Sequence, residues 1–382
     1  MITSSPTFCP HPWTSLNIDQ TGVVKPCLNS YEYQQDLGNI NSSTVQEVIA
    51  GARAHELRTT IARGEWDPLC GACQRLEAEG CTSPRQAARA DAGVLQAIDQ
   101  DITYFELQDI TINWSNLCNL TCTYCNPKTS TAWQARRNIP ITLVRNQHAD
   151  LIELAKQHTA TIRGLTLGGG EPLLQKGLPE FLHHIQPEQT SVMITTNLSM
   201  KLESNPVYQT LKDWPAVTWL ISFDNANREQ FEYVRTPADW DLFVTNIQYL
   251  KQTGQHVVAH PAYSIYCALS LVEYYEFCTA HELDIYWCDL RHPYALDIRR
   301  ASTELRRSAQ VEIDRVVELY ADHPANLGLA TLQNYRLQLE QQDTTTVDLA
   351  HNTLDPVAWH RQQEQVLQQR NRFEDLWPQY SH

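Results

Sequence analysis

The rhythm of apolar and polar residues changes near residue 105. Downstream, six short apolar stretches recur at 109–114 (DITINW), 162–169 (IRGLTLGG), 191–197 (SVMITTN), 216–224 (AVTWLISFD), 256–266 (HVVAHPAYSIY) and 283–288 (LDIYWC). Their β-branched and aromatic residues fit a pleated, half-buried surface. Between them the apolar spacing becomes helical. In GLPEFLHHI, Leu178, Phe181, Leu182 and Ile185 fall on one face. Strands alternating with helices predict an α/β fold with a parallel sheet and right-handed crossovers. Six such units fit a doubly wound sheet or a partial barrel, and periodicity does not choose between them.

The flanking regions follow other patterns. Residues 1–95 are broken by Pro6, Pro10, Pro12, Gly22 and Pro26. SLNIDQTGVVKPC reads as a hairpin turning between Asp19 and Gly22. STVQEVIAGARAHELRTTIARG reads as one helix, capped at Ser43 or Thr44 and stopped at Gly64. Beyond residue 300 no stretch reads as a strand. Ile313, Val316, Val317 and Tyr320 form one helical stripe, and Leu332, Tyr335 and Leu339 form another. The Gln-rich HRQQEQVLQQRNRF is expected as a surface helix. The expected organisation is a cysteine-rich module over 1–95, a strand–helix domain over 105–298 and a helical extension over 299–382.

Composition narrows the function classes. At 382 residues, with 42% hydrophobic and 19% charged residues, the chain is an ordinary globular type. A net charge of −15 opposes generic nucleic-acid binding. No run reaches the length needed to cross a bilayer, and MITSSPTFCPHPW carries no secretory pattern. The expectation is therefore a cytoplasmic protein with neither a nucleic-acid nor a membrane partner. In that reducing compartment eleven cysteines point to metal or redox chemistry rather than to disulfides.

Three of these cysteines, Cys118, Cys122 and Cys125, fall within SNLCNLTCTYCNPK. Structural zinc sites close with four ligands, usually as two pairs, which three thiols on one short loop fit poorly. A 4Fe–4S cluster takes one ligand per iron, so three thiolates leave one iron open to a small molecule. The loop also follows the first strand of the repeating units, where parallel α/β folds place their chemistry.

The spacing C-x3-C-x2-C, with Tyr124 before the last cysteine, resembles the radical S-adenosylmethionine (SAM) enzymes. GGGEP at 168–172 resembles that family's glycine-rich motif. The resemblance implies a partial (β/α)6 TIM-like barrel. It also implies that Gly169 and Gly170 let the backbone approach the SAM amino group, with Glu171 as acceptor beside Pro172. Asn197, in TTN, would face the ribose, and Ser222, in SFD, the ribose or carboxylate. Arg235, in YVRTP, would meet the SAM carboxylate. The similarity covers roughly residues 105–290.

A second set of cysteines lies upstream. Cys9 and Cys27 bracket the hairpin, and Cys70 and Cys73 follow as CGAC. With LEAEGCTSPR behind them, they resemble the SPASM and shorter twitch modules that bind auxiliary iron–sulfur clusters, here placed before the barrel. Four thiols saturate one cluster, although the spacing alone also fits zinc. Cys81 is left over and reads as a buried thiol. Cys267, Cys278 and Cys288 read as core thiols, with Tyr263, Tyr266, Tyr286 and Trp287 packing in strands.

The resemblance implies two 4Fe–4S clusters, SAM cleavage to a 5′-deoxyadenosyl radical and hydrogen abstraction from a ribosomally made precursor peptide. Crosslinking, epimerisation and tyramine excision are all possible outcomes. A separate small peptide-recognition subunit and a flavodoxin- or ferredoxin-type electron donor are the expected partners. Modification of a small metabolite or sugar, and a non-catalytic iron–sulfur redox protein, are the alternatives.

Overall fold

The computed structural model describes residues 1–30, 35–78, 80, 82–143, 148–341, 356–367 and 372–380. Cys81 lies outside them. The chain divides into two compact units. One comprises Met1–Leu117, Leu143–Ile194 and Pro206–Val217, and the other Cys118–Thr142, Thr195–Asn205 and Thr218–His382.

In the first unit the hairpin forms as expected: β1 (Ser15–Ile18) runs antiparallel to β2 (Val23–Lys25), which pairs with β3 (Gly38–Asn39). Asp19 Oδ1 accepts from the backbone of Thr21 and Val23, and Gly22 supplies the positive φ of 83° that the turn requires. The hairpin does not stand alone. Leu16 and Ile18 pair in parallel with Ile110 and Ile112 of β4 (Asp109–Asn113), so the cysteine-rich segment extends the parallel sheet. β4 then pairs in parallel with β5 (Gly164–Gly168), and β5 with β6 (Ser191–Thr196). Alternate residues of β4, β5 and β6, namely Ile110, Ile112, Leu165, Leu167, Val192 and Ile194, are buried, which is the period of two that the sequence shows.

The helix expected over 43–64 is two helices, Val45–Ala50 and Ala52–Ala62, divided at Gly51, whose backbone is extended. Thr44 is the N-cap of the first, in a capping box with Glu47. The second buries Leu57 and Ile61 against Trp13, Leu69, Val94 and Ile98, forming a small core of its own.

In the second unit β7 (Val217–Ile221) pairs in parallel with β8 (His256–Ala259), and β8 with β10 (Asp284–Ile285). The last two expected strands are each interrupted: β9 (Ala262–Tyr263) and β11 (Cys288–Asp289) form a separate parallel pair. Alternation at the end of the chain's last apolar run decides the fate of its residues. Ile285 and Trp287 are buried, whereas Tyr286 and Cys288 are exposed, contrary to the core role expected for both. Cys267 and Cys278 are fully buried, as expected.

No strand occurs among the described residues after 299. Ile313, Val316, Leu332, Tyr335 and Leu339 are buried on the stripes the sequence shows, on helices Thr303–Tyr320 and Leu329–Gln341. The helix Pro356–Leu367 is less superficial than its composition implies. His360 is fully buried, its Nδ1–H donating to Pro356 O at 2.6 Å. That bond leaves Nε2 as an acceptor for the Tyr266 hydroxyl at 2.7 Å. Phe373 stacks on the imidazole with ring centroids 3.7 Å apart.

Candidate iron–sulfur and SAM sites

In the first unit, folding brings together four cysteines that are far apart in sequence. Cys9, Cys27, Cys70 and Cys73 line one pocket, together with His11, Asn29 and Arg85. Cys9 precedes the turn into β1, Cys27 follows β2, and Cys70 and Cys73 sit on a 3-10 turn and the helix after it. The β1–β2 hairpin therefore carries one pair and the helical segment the other. All four are free thiols. Burial pushes the Cys9 and Cys27 thiols up and takes Cys70 up to about 12. Thiols in that state are poor ligands until a cationic centre displaces their protons. Among the described residues no three His, Cys, Asp or Glu side chains converge tightly enough for a single ion. Four thiols spread around one cavity fit a multi-iron cluster, with one thiolate per iron.

The sequence LEAEGCTSPR has a physical explanation beside this cavity. Glu77 accepts from Arg85 Nε at 2.9 Å and from the Ser83 hydroxyl at 2.5 Å, and Arg85 also donates to Phe8 O, next to Cys9. The Glu, Ser and Arg of that pattern thus place a cation at the wall of the four-cysteine pocket.

The glycine-rich turn also belongs to the first unit. A Cβ on Gly169 would lie 2.7 Å from Ser115 O, and one on Gly170 would collide with Leu117 O. Gly170 N donates to Ser115 O, and Glu171 N to Leu117 O. The glycines therefore let the turn lie flat on the backbone that leads directly into Cys118. Glu171 is fully buried, and its carboxylate caps the turn Pro172–Leu174 by accepting from Leu173 N at 2.9 Å.

In the second unit the three-cysteine loop is held from several directions. On one side Thr121 and Thr123 donate backbone hydrogen bonds to Thr236 O and Val234 O, at 2.7 and 2.8 Å. On another, Asn197 Nδ2 donates to Asn119 Oδ1 at 3.2 Å and lies 3.9 Å from Cys118 Sγ, while Ser199 fixes the Asn197 carboxamide oxygen. Behind the loop, the helix Thr131–Arg136 supplies Trp133, whose indole N–H donates to Cys122 O at 2.9 Å. Its N-cap, Ser130, donates to Leu120 O at 2.7 Å. Cys122 is buried, and Cys118 and Cys125 are half-buried. A hydrogen bond between Cys122 and Cys125, together with burial, raises the Cys122 thiol, and the same bond lowers that of Cys125.

Of the remaining expected contacts, Asn197 stands beside the loop, and Ser222 is half-buried at the end of β7, its N–H bonded to Thr196 O. Arg235 has a carboxylate partner that the motif does not show. Its guanidinium is buried in an ion pair with Asp224 at 2.9 Å, and Asp224 also accepts from the Tyr124 hydroxyl at 3.1 Å. Sequence reading passed over Asp224, Ser130 and Trp133. The signal for Asp224 was available: a carboxylate closing the apolar run of β7 demands a partner.

Two family models match the chain. Residues 112–264 match the Radical SAM superfamily, and residues 9–74 match the SPASM iron-sulfur cluster-binding domain. The chain carries a radical SAM domain, preceded by a SPASM iron–sulfur cluster-binding domain. Among curated relatives, 7-carboxy-7-deazaguanine synthase of Clostridium acetobutylicum is 31% identical over 115 residues, 30% of this chain and 47% of that protein. GTP 3′,8-cyclase of Streptomyces coelicolor is 33% identical over 116 residues, 30% of this chain and 31% of that protein. The chain thus spans less than half the length of either. Among solved structures, Streptococcus suis SuiB bound to precursor peptide SuiA aligns with a TM-score of 0.45 at 13% identity, covering 80% of this chain and 69% of that one.

Proposed function

We propose that this chain is a radical SAM enzyme that abstracts hydrogen from a ribosomally made precursor peptide, with Cys118, Cys122 and Cys125 holding the SAM-binding cluster and Cys9, Cys27, Cys70 and Cys73 an auxiliary one. The observation that carries the reading is the contrast in ligand number. Three thiols on a fixed loop leave one iron of a 4Fe–4S cluster for SAM, whereas four thiols around one cavity saturate the second. The first cluster would supply the electron that splits SAM into methionine and a 5′-deoxyadenosyl radical.

The chain's own residues then have defined tasks. The clamps from residues 130–133, 197–199 and 234–236 keep the three sulfurs in place before metal arrives, so little reorganisation is needed on binding. Asn197 and Ser222, at the ends of β6 and β7, are the proposed contacts to the SAM ribose. Arg85, held by its ion pair with Glu77, borders the auxiliary site and orients its guanidinium beside the thiols.

The joining of a SPASM domain to a radical SAM domain supports the peptide substrate, since relatives with that pairing commonly modify peptides. A separate recognition subunit is part of the proposal. The β1–β2 hairpin is already committed between Cys9 and Cys27, and no strand pair follows residue 299 among the described residues to receive a leader as an added strand. A flavodoxin- or ferredoxin-type donor would supply the electron. A purine-type small molecule is the second reading, favoured by relatives named for a deazaguanine and for GTP.

The deciding experiment is anaerobic incubation with SAM and reductant, in parallel with a candidate peptide encoded beside the gene and with GTP, read by mass spectrometry. A mass change in the peptide supports the first reading. Conversion of GTP with an unchanged peptide replaces it with the second.

A further inference from the structure

The middle of the cysteine loop is held by side chains as well as by backbone. Tyr124 lies between Cys122 and Cys125. Its hydroxyl donates to Asp224 Oδ2 at 3.1 Å, and its ring lies 5.5 Å from the guanidinium carbon of Arg235. Arg235 grips the same carboxylate oxygen twice, from Nε at 3.1 Å and from a terminal nitrogen at 2.9 Å. The other oxygen, Oδ1, accepts from Ala262 N at 2.9 Å, which ties the group to β9. Asp224 is 1% exposed and Arg235 4%. Residues 234 and 236, on either side of Arg235, are the two whose carbonyls receive the loop backbone from Thr123 and Thr121.

The carboxylate therefore accepts four donor contacts from three directions, and it is saturated: it has no role left as a base. The guanidinium is likewise directed at Asp224 and Tyr124. Placing two charges in a dry interior costs desolvation, and an apolar pair of similar volume often does equally well for stability. What an apolar pair would not do is fix the direction of the Tyr124 hydroxyl.

We infer that Asp224 and Arg235 are a positioning pair for the cysteine loop: they fix Tyr124 and, through it, the placement of Cys122 and Cys125 for the cluster. The inference rests on the reading that these cysteines hold the SAM-binding cluster. It moves Arg235 from the SAM carboxylate, where the family resemblance put it, to the support of the loop. It also assigns a role to Asp224, which the sequence motifs leave out.

The test uses the full chain, reconstituted anaerobically, in three forms: wild type, Asp224→Leu/Arg235→Met, and Tyr124→Phe. The double variant removes both charges at once, so no unpaired charge is left buried. It is expected to retain the wild-type circular dichroism and the iron of the auxiliary site. The electron paramagnetic resonance signal of the loop cluster, and its change on adding SAM, should differ from wild type. Release of 5′-deoxyadenosine should fall by about a hundredfold, the scale of a misplacement of roughly 1 Å. Tyr124→Phe removes one hydroxyl and should show the same spectral change with a smaller loss of rate. It judges the inference alone if the double variant does not fold. Wild-type spectra and a wild-type rate in the folded double variant, or wild-type spectra in Tyr124→Phe, would overturn the positioning role. If the wild type binds the loop cluster but releases no 5′-deoxyadenosine, the catalytic reading fails, and the spectra still decide the role of the pair. If the wild type takes up no iron at the loop, both claims fall.

Discussion

The two cysteine sets reach their geometry by opposite routes. Cys118, Cys122 and Cys125 are neighbours in sequence, and their loop is tied down by hydrogen bonds that need no metal: Trp133 to Cys122 O, Ser130 to Leu120 O, and the backbone pairing to residues 234 and 236. Cys9, Cys27, Cys70 and Cys73 come from a turn, a hairpin end and a helical segment, and meet only around their cavity. There burial disfavours the thiolates, and only a cationic centre would compensate them. On the proposed reading, the first set is organised in advance of its metal, and the second is where metal binding and folding are linked.

The sharpest way to break this comparison is to remove one thiol from each set. Cys122→Ala should abolish 5′-deoxyadenosine formation while leaving the fold intact, because the clamps on the loop use its backbone rather than the sulfur. Cys73→Ala should retain uncoupled SAM cleavage, lose product, and lower the iron content from about eight per chain towards four. It should also expose the auxiliary domain to proteolysis. Wild-type turnover in the Cys122 variant would contradict the assignment of the open cluster, and zinc in the auxiliary site would remove the second cluster.

This difference also explains how much the sequence revealed. A local constellation is legible: C-x3-C-x2-C and GGGEP each sit on one turn, and the period-two alternation marks β4 to β6. The hairpin was legible for the same reason. Its parallel pairing onto β4 was not, because the alternation of Leu16 and Ile18 carries no information about which strand lies beside them. Tyr286 and Cys288 were misjudged because an apolar run reads as core whether its strand is buried on one face or two. Arg235 was assigned from its motif alone. Its partner Asp224 is eleven residues away on another element, a pairing that no short-range spacing encodes. His360 was hidden by the glutamines around it.

His360 offers a smaller, graded test on the unit that holds the loop. Burial lowers its pKa from the ordinary imidazole value of 6.5 to about 3, and the Tyr266 hydroxyl occupies its acceptor nitrogen. The folded state therefore resists protonation while the unfolded chain takes up a proton readily. Stability from this group is complete above the unfolded pKa and is lost as pH falls from about 6.5 towards 3. Between about pH 8 and about pH 5 the loss is about 2 kcal/mol. Denaturant titrations of wild type and His360→Gln should show that difference in the wild type only. A parallel pH response in the two proteins would show that His360 does not couple the C-terminal segment to acid.

The smallest expected effect tests the other side of the comparison, where metal and folding are linked. Thr44 caps the helix Val45–Ala50. Its hydroxyl accepts from Glu47 N at 3.2 Å, and Glu47 reaches back to Thr44 N at 2.8 Å. Thr44→Ala removes the side-chain acceptor and should cost about 1 kcal/mol. The helix is followed by Ala52–Ala62, which packs Leu57 and Ile61 on Leu69, the residue before Cys70. In metal-free protein the loss should therefore appear as a lower unfolding midpoint of the auxiliary domain. In reconstituted protein it should largely disappear from the iron content, because the binding energy of a filled cluster far exceeds one cap and holds the domain folded by mass action. Iron at the loop, which is organised by hydrogen bonds of its own unit, should be indifferent to Thr44. A drop in iron at the loop on replacing Thr44 would mean that the two sites do not fold independently, and the contrast between a pre-organised loop and a metal-assembled cavity would have to be abandoned.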